Sequence, residues 1–105
     1  MWKVSGTKLT ASEGDFGVQL PVTVGGTTLT SSDTLRFTFK SDVDGDIIVE
    51  KDYTPVNNSV NLEFTEAESE LFPVGAYAYS LDWYQNGIFM CNLIPTGIYV
   101  VVNKA

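Results

Sequence analysis

Three aspartates at alternate positions are the first residues in this chain that could carry out chemistry. The segment Asp42–Asp46 reads Asp-Val-Asp-Gly-Asp, which resembles the opening of a calcium-binding loop. An EF-hand loop beginning at Asp42 needs glycine at its sixth position and glutamate at its twelfth. This chain has Ile47 and Tyr53 there. We therefore expect a type I′ hairpin turn with solvated carboxylates and no metal.

A second acidic group, at Glu66, Glu68 and Glu70, is a candidate for acid–base catalysis. Alternate spacing does not bring these carboxylates onto one helical face, and acidic residues at a helix start are expected from the helix dipole. The chain has no histidine, which removes Ser-His-Asp, Cys-His and histidine–metal sites. Cys91 has apolar neighbours and is expected to be an inert thiol. The sequence predicts no catalytic residue, no cofactor and no enzyme activity.

Aromatic residues are the remaining candidates, because sugars stack on exposed rings. Tyr79, Trp83, Tyr84 and Phe89 lie close together in the chain. Tyr79 and Trp83 share the face that we assign to the core, so packing is the better interpretation for them. Tyr84 lies on the opposite face and is the residue to test for carbohydrate binding.

Composition limits the class of protein. The chain has 105 residues, of which 44% are apolar and 12% aromatic, so we expect one domain, 1–105, with a packed core. Its net charge is −7, and its six basic residues are scattered, which argues against binding nucleic acid or an anionic membrane. It has one cysteine and no long apolar run, so we expect no intrachain disulfide, signal peptide or membrane span.

The clearest element is a strand from Gly75 to Gln85. Its residues alternate strictly, with period two, between a core face and an outer face. Before it, Thr65 and Glu68 match a capping box and predict one helical turn between Thr65 and Leu71. The predicted core face consists of Tyr77, Tyr79, Leu81 and Trp83.

Turn signals divide the rest of the chain into short strands. Asp44-Gly45 and Asn86-Gly87 predict sharp hairpins, and Gly25-Gly26 is a further candidate. Residues 1–10 fit an edge strand or an arm that reaches a neighbour. The last strand, Ile98–Val102, is apolar on both faces, as in a strand that is buried on both sides or that meets a partner. These signals predict an all-β fold: a single antiparallel Ig-like β-sandwich of seven or eight strands with one short helical turn.

Three short motifs of the chain match the pattern of one protein family. Gly14–Phe16 matches an opening Gly-Asp before an apolar strand, and Gly97–Val101 matches a closing Gly-aromatic strand. Leu71–Leu81 matches a central Leu-Pro-x-Gly-x-Tyr-x-Tyr-Asp, with one extra residue before the proline and Ser80 in place of the aspartate. With these motifs the chain resembles the N-terminal domain of phage baseplate upper proteins over roughly Lys8–Asn103. The resemblance implies an Ig-like sandwich that serves as a non-enzymatic assembly module of a tail or baseplate.

The resemblance also implies the partners and the location. We expect other tail or baseplate proteins as partners, a possible homo-oligomer, synthesis in the cytoplasm of the bacterial host, and a final place in the virion. The alternative is a bacterial Ig-like module for carbohydrate binding or adhesion. We expect the contact surface on Ile98–Val102 or on the N-terminal Trp2–Leu9. The side chains assigned to this interaction surface are Trp2, Val4, Tyr84, Tyr99 and Val101.

Overall fold

Alternating apolar and polar residues form strands over most of the chain. The computed structural model describes residues 2–103, so Met1, Lys104 and Ala105, at the ends of the expected domain 1–105, lie outside the described residues. The elements are β1 (Lys3–Ser5), β2 (Lys8–Ser12), β3 (Leu20–Thr23), β4 (Asp33–Lys40), β5 (Ile47–Tyr53), β6 (Ser59–Leu62), α1 (Glu66–Ser69), β7 (Gly75–Gln85) and β8 (Ile88–Val102). The all-β prediction is confirmed.

Within residues 2–103 the strands form two sheets. The larger sheet has the order β1-β2-β8-β7-β4-β5, and the smaller sheet pairs β3 with β6. The expectation of a purely antiparallel sandwich is wrong, because β2 and β8 are parallel, with Leu9 opposite Tyr99 and Ser12 opposite Val102. These two strands lie at opposite ends of the chain, so no hairpin forces them to run in opposite directions.

The core is formed by one face of the large sheet and the small sheet. Phe39 is at its centre and packs against the rings of Phe64, Phe72, Tyr79 and Tyr99, with centroids 5.2–5.8 Å apart. Such contacts stabilise a fold beyond the effect of burial alone. The buried hydrophobic cluster comprises Leu9, Ala11, Leu29, Leu35, Phe37, Phe39, Val49, Val60, Leu62, Phe64, Phe72, Tyr79, Leu81, Tyr99 and Val101.

The central strand and the helical turn before it agree with the sequence. β7 spans the predicted residues, and Tyr79 and Leu81 are buried on its core face. The Thr65 hydroxyl accepts a hydrogen bond from the Glu68 backbone N–H (3.2 Å). A Glu68 carboxylate oxygen in turn accepts one from the Thr65 N–H (2.9 Å), which completes the predicted capping box.

The predicted turns had different outcomes. Asn86 and Gly87 both have positive φ angles, 51° and 78°, so the second hairpin is confirmed with the geometry of a type I′ turn. The strands around Asp44 and Gly45 do pair, but the type I′ assignment is wrong because neither residue has a positive φ. The Gly45 N–H instead donates to the Asp42 carbonyl (2.9 Å).

Three other local expectations had different outcomes. Gly25-Gly26 does not close a hairpin, because β3 before it pairs with β6 and not with β4. The apolar strand expected after Gly14–Phe16 begins only at Leu20, because Phe16 and Val18 precede β3 and are exposed. For the N-terminal segment the edge strand is confirmed and the arm is wrong: β1 and β2 form a hairpin, and β1 is the end strand of the large sheet.

Candidate protein-docking edge

β8 is the longest strand, and only part of it has neighbours on both sides. It pairs with β7 from Ile88 to Val101. On its other side, β2 pairs only with residues Tyr99–Val102. Within residues 2–103, no strand covers that side of β8 before Tyr99. We call Ile88–Ile94 the open edge; it ends before Pro95, which has no N–H to donate.

The open edge is apolar and carries no charge. Its sequence is Ile-Phe-Met-Cys-Asn-Leu-Ile. Three consecutive large apolar side chains are exposed, with exposed fractions of 67% at Ile88, 49% at Phe89 and 44% at Met90. An exposed, uncharged strand edge is a template for pairing with another chain. The open edge has two register shifts, one opposite Trp83 and Tyr84 and one opposite Leu81 and Asp82, and these bend the strand without adding a charge.

The opposite edge of the sheet shows how a strand edge is protected. β5 carries Glu50, Lys51 and Asp52 in succession. The Arg36 side chain binds Asp52 through two N–H donors (2.7 and 3.1 Å), and the Lys51 ammonium contacts Glu68 at 2.6 Å. Charged side chains discourage edge-to-edge pairing. The two strands therefore differ in charge: β5 carries paired charged side chains, and the open edge of β8 carries none.

Tyr84 lies beside the open edge, opposite Phe89 across the β7–β8 hairpin. The two rings meet edge to face, with centroids 5.6 Å apart, and the Arg36 guanidinium lies 4.4 Å from the Tyr84 ring centre. The hydrogen bond with Asp52 is the main cause that raises the pKa of Arg36, so it remains charged over this ring. Tyr84 is thus held in place on both sides.

An apolar cleft begins where the open edge ends. It has a volume of about 210 Å³ and lies between the β1–β2 hairpin and β3. Val4, at its rim, is 54% exposed, whereas Phe37 and Tyr79 are buried residues of its lining. We call this the edge cleft; its other lining residues are Gly6, Leu9, Leu20, Pro21, Val22 and Ile94.

The five side chains predicted from sequence do not form one surface. Tyr84 adjoins the open edge and Val4 lines the edge cleft. Trp2 packs on Phe64 and Tyr99, with ring centroids 5.7 Å away in each case, and its indole N–H donates to the Val18 carbonyl (2.8 Å). Trp2 therefore helps to close the core.

Tyr99 and Val101 are corrected as surface residues. Their exposed fractions are 4% and 3%. Between β2 and β7, alternate residues of β8 face the core, while Ile98 and Val102 face outward. Burial also raises the pKa of the Tyr99 hydroxyl, which keeps it neutral. Within the expected contact surface Ile98–Val102, Tyr99 and Val101 therefore belong to the core and are not available to a partner.

Ile88 and Met90 were not among the residues predicted from sequence, and Phe89 was considered only as part of an aromatic platform for sugars. Three apolar residues directly after an Asn-Gly turn were a usable signal, because such a run is unusual on an exposed strand. Whether the strand that contains them has a free edge depends on where β2 pairs. That pairing joins the two ends of the chain and has no local sequence signal.

Two acidic side chains, the buried Asp33 and the half-buried Glu68, have structural partners. Hydrogen bonds from the Thr30 backbone and the Trp83 indole lower the pKa of Asp33. Burial of Glu68 opposes ionisation, but the Lys51 ammonium and the Thr65 N–H outweigh it and lower its pKa. General acid catalysis needs a raised carboxyl pKa, which neither residue has. In the part of the chain that the structure describes, no group of three metal-ligating side chains occurs.

The open edge presents backbone groups that no strand of the described residues 2–103 uses. Alternate residues of the open edge direct their backbone N–H and C=O groups away from β7, where an added strand would lie.

The four-residue α1 is too short to cross a membrane, and the described residues contain no longer helix. No protein-family model, curated protein or solved structure matches this chain.

Proposed function

We propose that this domain is a non-enzymatic assembly module of a phage or prophage tail baseplate. In this proposal it has an Ig-like sandwich fold, is made in the host cytoplasm, and docks to neighbouring tail proteins in the host-attachment apparatus of the virion. The open edge, Ile88–Ile94, is the observation that carries the docking role. An uncharged edge with three exposed apolar side chains promotes aggregation in an isolated protein. In an assembly the same edge is suited to bind a partner protein.

The association with a tail baseplate is supported by the resemblance of three motifs to baseplate upper proteins. Two of these motifs meet in the fold. Gly97 lies against the Tyr79 ring, where a β-carbon would come within 2.3 Å of the ring. The Tyr79 hydroxyl also donates to the Thr7 carbonyl, which ties β7 to the β1–β2 turn. A shared glycine–tyrosine contact is a reason for both motifs to occur in one family.

Carbohydrate binding is the weaker alternative. Sugar stacking needs an open ring face, and Arg36 covers one face of Tyr84. Phe89 is 49% exposed but meets Tyr84 edge to face, so the two rings do not form a flat platform. No polar side chain in the open edge other than Asn92 is suited to bind a sugar hydroxyl, and Asn92 already donates to Asp82.

The proposal is tested by following the chain into tail particles. Particles released from the bacterium that encodes it are purified by density-gradient centrifugation and probed with an antibody to the chain. We expect the wild-type chain in the particle fraction and Phe89→Lys to be lost from it, because a charge on the open edge blocks strand addition. Circular dichroism of the purified variant checks that it is folded.

Ile47→Lys is the matched control. Ile47 is an apolar residue of the β5 edge with an exposed fraction of 57%, close to that of Phe89. We expect this variant to enter particles like wild type. Absence of the wild-type chain from the particles would contradict the proposed function. Equal incorporation of both variants would contradict the role of the open edge.

A further inference from the structure

We propose that the open edge binds a second copy of this chain, with the two β8 strands antiparallel about a two-fold axis at Cys91. The inference rests on the proposed role of the edge in assembly and names its occupant. Cys91 is the middle residue of Ile88–Ile94. Full overlap of the two edges therefore sets each Ile88 opposite Ile94 of the second copy, and the two Cys91 residues opposite each other.

The absence of charge on the open edge allows a second copy to be the occupant. Two chains with a net charge of −7 repel each other, but the open edge itself has no charge, so its strands can pair without placing like charges opposite each other. A foreign partner selected by charge would need an acidic or basic counterpart on this edge. From Trp83 to Asn103 the sequence contains no charged residue. The open edge is suited to pair with the same uncharged, apolar strand of a second copy.

The edge cleft supplies a place for Ile88. Ile88 pairs with Gln85, and Ile94 pairs with Leu81, a core residue. Gln85 also hydrogen-bonds to the buried Asp33, which places Ile88 on the same sheet face as Ile94. Opposite residues of an antiparallel pair lie on one face, so Ile88 of the second copy lies beside Ile94 at the mouth of the cleft. The cleft volume of about 210 Å³ accommodates an apolar side chain.

The sheet also has room for the added strand. β2 begins at Lys8, one residue before the Leu9–Tyr99 pair, and the β1–β2 turn at Gly6 and Thr7 lies beyond it. The self-paired segment ends at Ile94, so Pro95–Gly97 separates it from the start of β2 and spans about 10 Å at about 3.3 Å per residue. The Asn86-Gly87 turn of the second copy faces the β1–β2 turn across this gap. The two sheets then form one continuous sheet, and the same pairing is repeated by symmetry.

Cys91 reports the register directly, because it is the only cysteine. Directly opposite residues of antiparallel strands have Cα atoms about 4.5–5.5 Å apart, within the range of about 4.4–6.8 Å found for disulfides. Mild oxidation of the full chain should give a disulfide-linked dimer on a non-reducing gel. The yield should fall when the protein is diluted before oxidation, and Cys91→Ser should give no disulfide-linked dimer.

Sedimentation velocity over a range of protein concentrations measures the association itself. We expect a monomer–dimer equilibrium for wild type, a dissociation constant at least about tenfold higher for Ile88→Lys, and no change for the control Ile47→Lys. Added salt should strengthen the dimer, because it screens repulsion between two chains of like net charge. Association with a basic partner would weaken with salt instead.

The outcomes separate this inference from the proposed function. A monomer at every concentration, or a dimer that Ile88→Lys leaves intact, overturns self-pairing through the open edge. A dimer that forms no Cys91 disulfide overturns the register. If wild type is monomeric and Phe89→Lys is still lost from tail particles, the docking role remains and its occupant is a different protein. A dimer that is absent from tail particles leaves self-pairing and contradicts the proposed function.

Discussion

Side chains on the two faces of β7 contribute differently to the stability of the fold. Leu81 is 2% exposed, and its neighbour Ser80 is half-buried on the other face of the strand. The aromatic core around Phe39 extends along the same face as Leu81. Stability at the residue scale is therefore decided by which face a side chain occupies.

Leu81→Ala should destabilise the domain by about 2–5 kcal/mol, because it removes buried apolar surface and leaves a cavity. Ser80→Ala should change the free energy of unfolding by less than about 0.5 kcal/mol, as for most surface substitutions. Urea denaturation of both variants measures the difference. Equal losses at the two positions would show that the two faces of β7 are wrongly assigned.

Asp33 is a buried carboxylate that holds a loop against β7. It is 1% exposed, and its carboxylate accepts hydrogen bonds from the Thr30 N–H (2.7 Å) and the Trp83 indole N–H (2.8 Å). These donors stabilise the charged form, which is why its pKa lies below the ordinary value of 3.8. The carboxylate thus joins the loop before β4 to β7.

This lowered pKa predicts the direction of a pH effect. The stabilisation by Asp33 is fully present above its unfolded-state pKa and is lost as the pH falls through the lower folded-state pKa. Urea melts from pH 6 down to about pH 2 should show a shallower loss of stability for Asp33→Asn than for wild type. Asp44→Asn, in the exposed turn, is the control. Identical slopes for wild type and Asp33→Asn would contradict this role of the carboxylate.

At the scale of elements, local signals and long-range pairing contribute separately. The alternation of β7, the capping box at Thr65 and the Asn86-Gly87 turn are each specified within a few residues, and sequence reasoning found all three. Alternation, side-chain caps and left-handed turn residues are physical causes that act over short distances.

The features that sequence reasoning missed depend on strand order. Parallel pairing of β2 with β8 joins segments from opposite ends of the chain, and no turn sequence encodes it. The same pairing stops at Leu9 and so creates the open edge. Tyr99 and Val101 looked like contact residues because their strand is apolar on both faces. Only the pairing shows that these two face the core.

At the scale of the whole molecule, β5 and the open edge of β8 differ in charge. β5 is protected by charges that are themselves paired, through Arg36 and Lys51. The open edge, Ile88–Ile94, has exposed apolar side chains and an adjoining cleft. The open edge is therefore the apolar, uncharged part of this sheet that is suited to a further strand.

The most direct test of this account is amide hydrogen exchange of the full chain at low and at high protein concentration. Pairing with another strand buries the outward N–H groups of Ile88–Ile94 in hydrogen bonds, so their exchange should slow as concentration rises. Exchange in Ile47–Tyr53 should stay unchanged, because that edge is protected by charge. Exchange at the open edge that is independent of concentration, or equal slowing of both edges, would contradict the claim that the open edge pairs with a second copy.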